Sequence, residues 1–167
     1  MAGDDFAQIV NVVNLYAVAV DAHRYDLFRE IFTDDIRCDF GGGAAFSGIE
    51  TFIASYEGIH AVFSATQHMV SGHAVRIDGE RACCFSYVCG RFRRALEGGE
   101  GLFESTGWYD DVLTRTRAGW RISERTSRMV SHSGDVRVMQ AMPGIDTDYV
   151  LLSLFGEAAA GRIRFLA

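Results

Sequence analysis

The chain has 167 residues, 49% hydrophobic, 12% aromatic and 23% charged; this composition excludes disorder and suits one domain with a real core. A net charge of −6 argues against nucleic acid as a partner, because such binding rests on Lys and Arg neutralising phosphates. No uninterrupted apolar run approaches the roughly 20 residues of a membrane-spanning helix, and the acidic start Met1-Ala2-Gly3-Asp4-Asp5 lacks the basic region of a secretory signal, so a cytoplasmic protein is expected.

Along the chain, Phe6, Ile9, Val10, Val13, Tyr16 and Val20 recur at three- and four-residue intervals, which predicts an amphipathic helix over 5–20 capped by Asp4 or Asp5. Tyr25, Phe28, Ile31 and Phe32 predict a second helix that ends at the turn Thr33-Asp34-Asp35. A short strand, Ile36 to Phe40, follows and breaks at Gly41-Gly42-Gly43; the glycines lack the Lys-Ser/Thr and spacing of a phosphate loop. A third helix is expected from Ile49 to Val62.

The second half reads differently, with β-branched and aromatic residues alternating with polar ones over long stretches. Strands are expected at 66–77, 81–96, 101–116 and 119–131, turning at Asp78-Gly79, Gly98-Gly99 and Ala118-Gly119. Arg91, Arg93 and Arg94 form the only dense basic cluster, offset by Glu97 and Glu100. The four cysteines, at 38, 83, 84 and 89, show no zinc spacing and read as reduced core residues; no metal and no cofactor is expected. Residues 133–167 form an extension containing the only proline, Pro143, and an expected helix from Asp146 to Ala160 that covers a pocket mouth or a subunit contact. Arg162 and Arg164 suit that helix's C-terminal end.

Three helices followed by a meander predict an α+β domain spanning 1–167, a curved mixed or antiparallel sheet wrapped as a cone around the N-terminal helices. Strand alternation puts His68 on one face with Val70, Gly72 and Ala74, and His73 on the other.

Several stretches together resemble the SnoaL-like, nuclear-transport-factor-2-like superfamily, which includes scytalone dehydratase, bile-acid 7α-dehydratase, hexachlorocyclohexane dehydrochlorinase and small polyketide cyclases. They are Tyr16 to Asp21, Asp26 to Asp35, Thr66-Gln67-His68-Met69, and Gly107-Trp108-Tyr109-Asp110-Asp111 through Gly119-Trp120-Arg121-Ile122, within residues 9–130. The resemblance implies a homodimer or homotrimer. It also implies a catalytic pair in which Asp21 supports His68, the base that removes a proton from substrate.

A neutral imidazole is well suited to that task, since a carboxylate on one ring nitrogen fixes the tautomer and stabilises the imidazolium. Without the resemblance, Asp21 reads equally well as a helix cap and His68 as a core histidine. Tyr16 matches a tyrosine that serves family dehydratases as an acid or orienting group. Five residues on a continuous helix differ by about 140°, so Tyr16 and Asp21 share a pocket only if the helix ends between them. The resemblance further implies an arginine that holds an anionic group, with Arg128 favoured over Arg115. Phe52, Tyr56, Phe85, Tyr87, Trp108 and Tyr109 are candidates to line an apolar substrate pocket.

The expected function is a cofactor-independent lyase, dehydratase-like, or an isomerase acting on a hydrophobic cyclic small molecule. Alternatives are a polyketide cyclase or epoxide hydrolase on the same fold, a non-catalytic binding protein for apolar ligands, or the small subunit of a ring-hydroxylating dioxygenase. No second histidine stands between Arg81 and Arg94, a departure from scytalone dehydratase.

Overall fold

The apolar spacing of the N-terminal segment winds it into α1, Ala2–Asp21, with Ile9, Val13, Tyr16 and Val20 buried along one face. The computed structural model describes residues 2–140 and 149–167. Because α1 begins at Ala2, Asp4 and Asp5 lie in its first turn rather than at the cap. They still suit the positive helix end there. A 3₁₀ turn, Tyr25–Leu27, and the single-turn α2, Phe28–Ile31, replace the longer second helix that was expected.

β1, Phe32–Asp39, starts earlier than the sequence suggested. Phe32 pairs opposite Ile122 and the ladder resumes at Arg37 opposite Glu124, so the exposed Asp34 and Asp35 sit in an irregular strand segment instead of a turn. After the glycines, β2, Ala45–Ser47, returns antiparallel on β1, and α3, Ile49–His60, ends two residues before the expected Val62. β3, Ala65–Asp78, β4, Arg81–Leu96, β5, Gly99–Thr116, and β6, Gly119–Gly134, form the meander.

The strand order is β2-β1-β6-β5-β4-β3, with β1 parallel to β6 and the other pairs antiparallel. This makes an open mixed sheet with α1 packed on β3 and β6, and α3 on β1 and β2. Among the described residues no helix is long and apolar enough to cross a membrane.

Irregularities in the ladders decide which side chains face inward. Between Ser71 and Ala74, β3 carries one extra residue relative to β4, at Gly72 with φ +63°. The bulge reverses the alternation: Val70 and Val75 both join the inner core, whereas Ala74 packs on the opposite face beside Phe85. Ala74 therefore does not share the face of His68, and simple alternation does not place His73 on the face opposite His68 across the bulge. The second irregularity, on β6, pairs Ile122 with Leu113 but Glu124 with Val112. Trp120 and Ile122 point into the core, and Arg125 rather than an even-numbered residue follows them inward. A third shift, beside Gly107, brings the strands so close that a Cβ there would lie 1.9 Å from the Arg128 carbonyl oxygen.

The inner core gathers α1, α2, α3 and the concave side of the sheet. On the other side, Phe85 and Trp108 are covered by the chain's own C-terminal segment through Leu152, Leu154, Ala158, Ile163 and Phe165. Asp110 fastens that segment, accepting the backbone N–H groups of Arg164 at 2.7 Å and Phe165 at 3.2 Å. The helix expected from Asp146 is in its described part only α4, Leu154–Ala159, capped by the Ser153 hydroxyl; its expected start and Pro143 lie outside the described residues. All four cysteines are free, and burial pushes the Cys38 and Cys84 thiols up to about 12.

Candidate active site

Between α1, α3 and the concave sheet face lies a cavity of about 360 Å³, bordered mainly by apolar side chains such as Phe40, Phe46, Phe63, Phe92, Phe103 and Met129. Its size falls in the range of small-molecule sites, about 300–1,000 Å³. Met139, Tyr149, Val150 and Leu152 bring part of the C-terminal extension to its edge. Among the cavity's polar groups are Tyr16, Tyr56, His60 and His68.

Asp21 is the last residue of α1, and its carboxylate is saturated by one turn of β3. Oδ1 lies 2.7 Å from His68 Nδ1 and accepts the Thr66 hydroxyl at 2.9 Å; Oδ2 accepts the His68 backbone N–H at 2.7 Å. These bonds supply the compensation that a carboxylate needs at a helix C-terminus. Burial alone would raise the Asp21 carboxyl, but the bonds from His68 and Thr66 hold it below the usual value of 3.8. Its carboxylate caps no helix: the following 3₁₀ turn has Arg24 at its cap position, without a side-chain bond.

His68 itself borders the cavity, its ring edge-on to Tyr16 and to Phe92 at centroid distances of 6.3 and 5.4 Å. A carboxylate can only accept, so Nδ1 carries the hydrogen and Nε2 is the ring's basic position. The helix does not end between Tyr16 and Asp21, contrary to the condition derived from helical geometry. Tyr16 borders the cavity directly, while Asp21 acts on it through His68, so the two need not point the same way.

Tyr16 and Tyr56 share a hydrogen bond between their hydroxyls at 2.8 Å. Burial drives both phenols well above their usual value, and Tyr109 beside them to about 12, so all three stay protonated as donors. Behind the tyrosines lies a buried ion pair. Arg125 binds Asp111 through two bonds of 2.8 and 2.7 Å, and its guanidinium lies 4.3 Å from the Tyr16 ring centre and 4.1 Å from that of Tyr109.

The remaining sequence candidates divide clearly. Tyr56 and Tyr109 border the cavity. Phe52 does not; it packs beneath Tyr56 at 4.6 Å, supporting it. Phe85, Tyr87 and Trp108 belong to the opposite sheet face, with Tyr87 half exposed, and do not reach the cavity. Arg115 is remote, paired with Asp5 at 2.6 Å and stacked over Trp120. Arg128 meets the cavity's rim, but it pairs in register with Trp108 of the outer face and its guanidinium is held by the Asp39 carboxylate at 2.6 Å. The inward arginine is Arg125, which sequence reasoning missed because the β6 bulge reverses the phase of alternation. His60 was also missed, although its spacing from Phe52 and Tyr56 on α3 is a visible signal. No group of three or more metal-ligating side chains occurs among the described residues.

Fold and cavity together define an α+β cone whose concave side encloses a small-molecule-sized chamber. The chain belongs to the SnoaL-like domain family, whose sequence profile matches residues 3–126, and its architecture is of the nuclear-transport-factor-2-like kind. Uncharacterized proteins of Mycobacterium tuberculosis and Mycobacterium bovis are 30% identical over 129 residues, covering 72% of this chain and 82% of theirs. A solved structure from Kribbella flavida is 27% identical with a TM-score of 0.79, covering 84% of this chain and 100% of its own. A candidate scytalone dehydratase of Novosphingobium aromaticivorans has the same fold at 19% identity and a TM-score of 0.69, covering 78% of this chain and 87% of its own.

Proposed function

We propose that this protein is a cofactor-independent lyase of the dehydratase type, or an isomerase, acting on a hydrophobic cyclic small molecule. The observation that carries the reading is the 2.7 Å contact between Asp21 Oδ1 and His68 Nδ1, with His68 on the wall of an apolar cavity. His68 Nε2 takes a proton from a carbon next to an electron-withdrawing group, and Asp21 stabilises the imidazolium that forms. The electron pair of the broken C–H bond forms the ring double bond as hydroxide departs. The Tyr16–Tyr56 hydroxyl pair hydrogen-bonds to the departing oxygen, which leaves as water with the proton His68 had taken, so the imidazolium returns to neutral imidazole. In the isomerase variant, the imidazolium returns the proton to a different carbon and nothing departs. Membership of a family with dehydratase relatives supports the choice of chemistry.

The test is to incubate the protein in D2O with a panel of cyclic ketones bearing β-hydroxyl groups or ring double bonds, following elimination and deuterium uptake by NMR. The expected result is turnover of at least one panel member. His68→Ala, shown to be folded by circular dichroism, should lose about 100-fold or more of it. Full turnover by the folded variant would sink the assignment.

A further inference from the structure

α3 presents Phe52, Tyr56 and His60 at four-residue intervals on its buried face, and His60, the last of them, borders the cavity. Its ring stacks on Tyr56 with centroids 4.6 Å apart and meets Phe63 edge-on at 5.7 Å. Nδ1 lies 3.0 Å from the Tyr56 carbonyl oxygen. A carbonyl only accepts, so Nδ1 is the nitrogen that carries hydrogen and Nε2 holds a bare lone pair. Burial outweighs the Tyr56 carbonyl bond and the nearby Asp21, which both favour a charged ring, and pulls His60 down to about 4. At neutral pH the ring is therefore an acceptor at Nε2, fixed in place by stacking and by its own helix.

An acceptor in an apolar chamber is costly unless a donor meets it. No bond to Nε2 is made by the Tyr16 and Tyr56 hydroxyls, which bond each other, or by the two arginines nearest the cavity, which are held by Asp111 and Asp39. We infer that His60 Nε2 reads a neutral hydroxyl on the substrate ring, so that the cavity selects uncharged hydroxylated rings over bare hydrocarbons and over carboxylates. This deepens the lyase reading and rests on it only for the word substrate, since His60 and His68 border the same cavity. A carboxylate in the same place would set its own lone pairs against that of Nε2.

The experiment measures binding without turnover, by titrating the protein at neutral pH with 2-naphthol, naphthalene and 2-naphthoate in a calorimeter. Wild type should bind 2-naphthol about tenfold more tightly than naphthalene, the gain of one hydrogen bond, and 2-naphthoate most weakly. In His60→Phe the preference for 2-naphthol should fall to about twofold or less, with naphthalene affinity kept. His68→Ala should retain the preference, which separates this inference from the lyase assignment. A preference that survives in His60→Phe, or vanishes in His68→Ala instead, overturns the inference. Should His60→Phe not fold, ¹⁵N NMR of the wild type decides: the His60 Nε2 resonance must move upfield on adding 2-naphthol, and an unchanged resonance refutes the contact.

Discussion

Asp21 grips His68 by both its side chain and its backbone: one carboxylate oxygen takes the ring nitrogen and the other the backbone N–H of the same residue, each at 2.7 Å. The two bonds tie the imidazole's orientation to the register of β3 against the end of α1. A single side-chain contact would leave the ring free to swing about its own torsions; this pairing removes that freedom and fixes the hydrogen on Nδ1. Thr66, two residues earlier on the same side of the strand, adds a third bond that keeps the carboxylate from rotating.

Asp21→Asn tests what the carboxylate does beyond filling space. The amide oxygen can still accept the His68 N–H, which turns the amide NH₂ toward Nδ1 and forces the ring into the other tautomer. Nε2 then carries the hydrogen and can no longer act as a base. Turnover should fall by about 10²–10⁴ with little change in the melting temperature. Two-dimensional ¹⁵N NMR reads the tautomer directly, and retention of hydrogen on Nδ1 in the variant would contradict this account.

The Tyr16–Tyr56 pair is the joint between α1 and α3. Tyr16→Phe leaves the Tyr56 hydroxyl without its partner and should cost about 1–3 kcal/mol; Tyr56→Phe should cost a similar amount. Phe at both positions removes donor and acceptor together, so the double variant should be more stable than the sum of the single losses implies. Urea denaturation of the four proteins gives the coupling, expected at about 0.5–3 kcal/mol. Additive losses would mean that the hydroxyls do not interact in solution.

The long meander and the amphipathic first helix were legible because each rests on a pattern repeated over many residues, whereas the pairing of Asp21 with His68 was legible only through the family resemblance. Which strand residues face the cavity was not. From Gly107 to Leu113, β5 is buried without interruption, since the C-terminal segment covers the outer face and makes Trp108 as apolar in its surroundings as Tyr109. Alternation of hydrophobicity then loses its contrast, and one-residue bulges such as those on β3 and β6 leave no mark. Trp108 and Phe85 were assigned to the pocket although they lie on the outer face, and Arg125 was overlooked; Arg128, carried over from the resemblance, does reach the cavity's rim. His60 was obscured differently: its helical spacing was readable, but a histidine closing an apolar face reads first as core.

Arg125 and Asp111 are both fully buried, so neither charge is tolerable without the other. Asp111→Ala should destabilise the protein by about 3–5 kcal/mol, because it strands a guanidinium between two tyrosine rings. Replacing both partners, Arg125→Met with Asp111→Leu, removes the stranded charge and should recover most of the loss. Denaturation midpoints in urea check both. An Asp111→Ala protein as stable as wild type would show that water or another anion reaches Arg125.

Acid should weaken the fold in two separate windows. His60 titrates near 6.5 when unfolded and at about 4 in the fold. Between those values the unfolded chain binds the extra proton, so the contribution of a neutral His60 is whole above about pH 6.5 and is lost as pH falls toward 4. For a shift of this size the loss is on the order of 3 kcal/mol. His73, lowered by burial despite the opposing charge of Asp111, adds to the same slope. Asp21 acts further down: its carboxyl is held below 3.8, so its share persists above that value and disappears only as pH drops through the lower folded one. Unfolding free energies from urea titrations at about pH 7.5 and 4.5 should fall for wild type and fall markedly less for His60→Phe, because Phe has no proton to bind in either state. Equal slopes for the two proteins would show that His60 is not the group that makes the fold acid-sensitive.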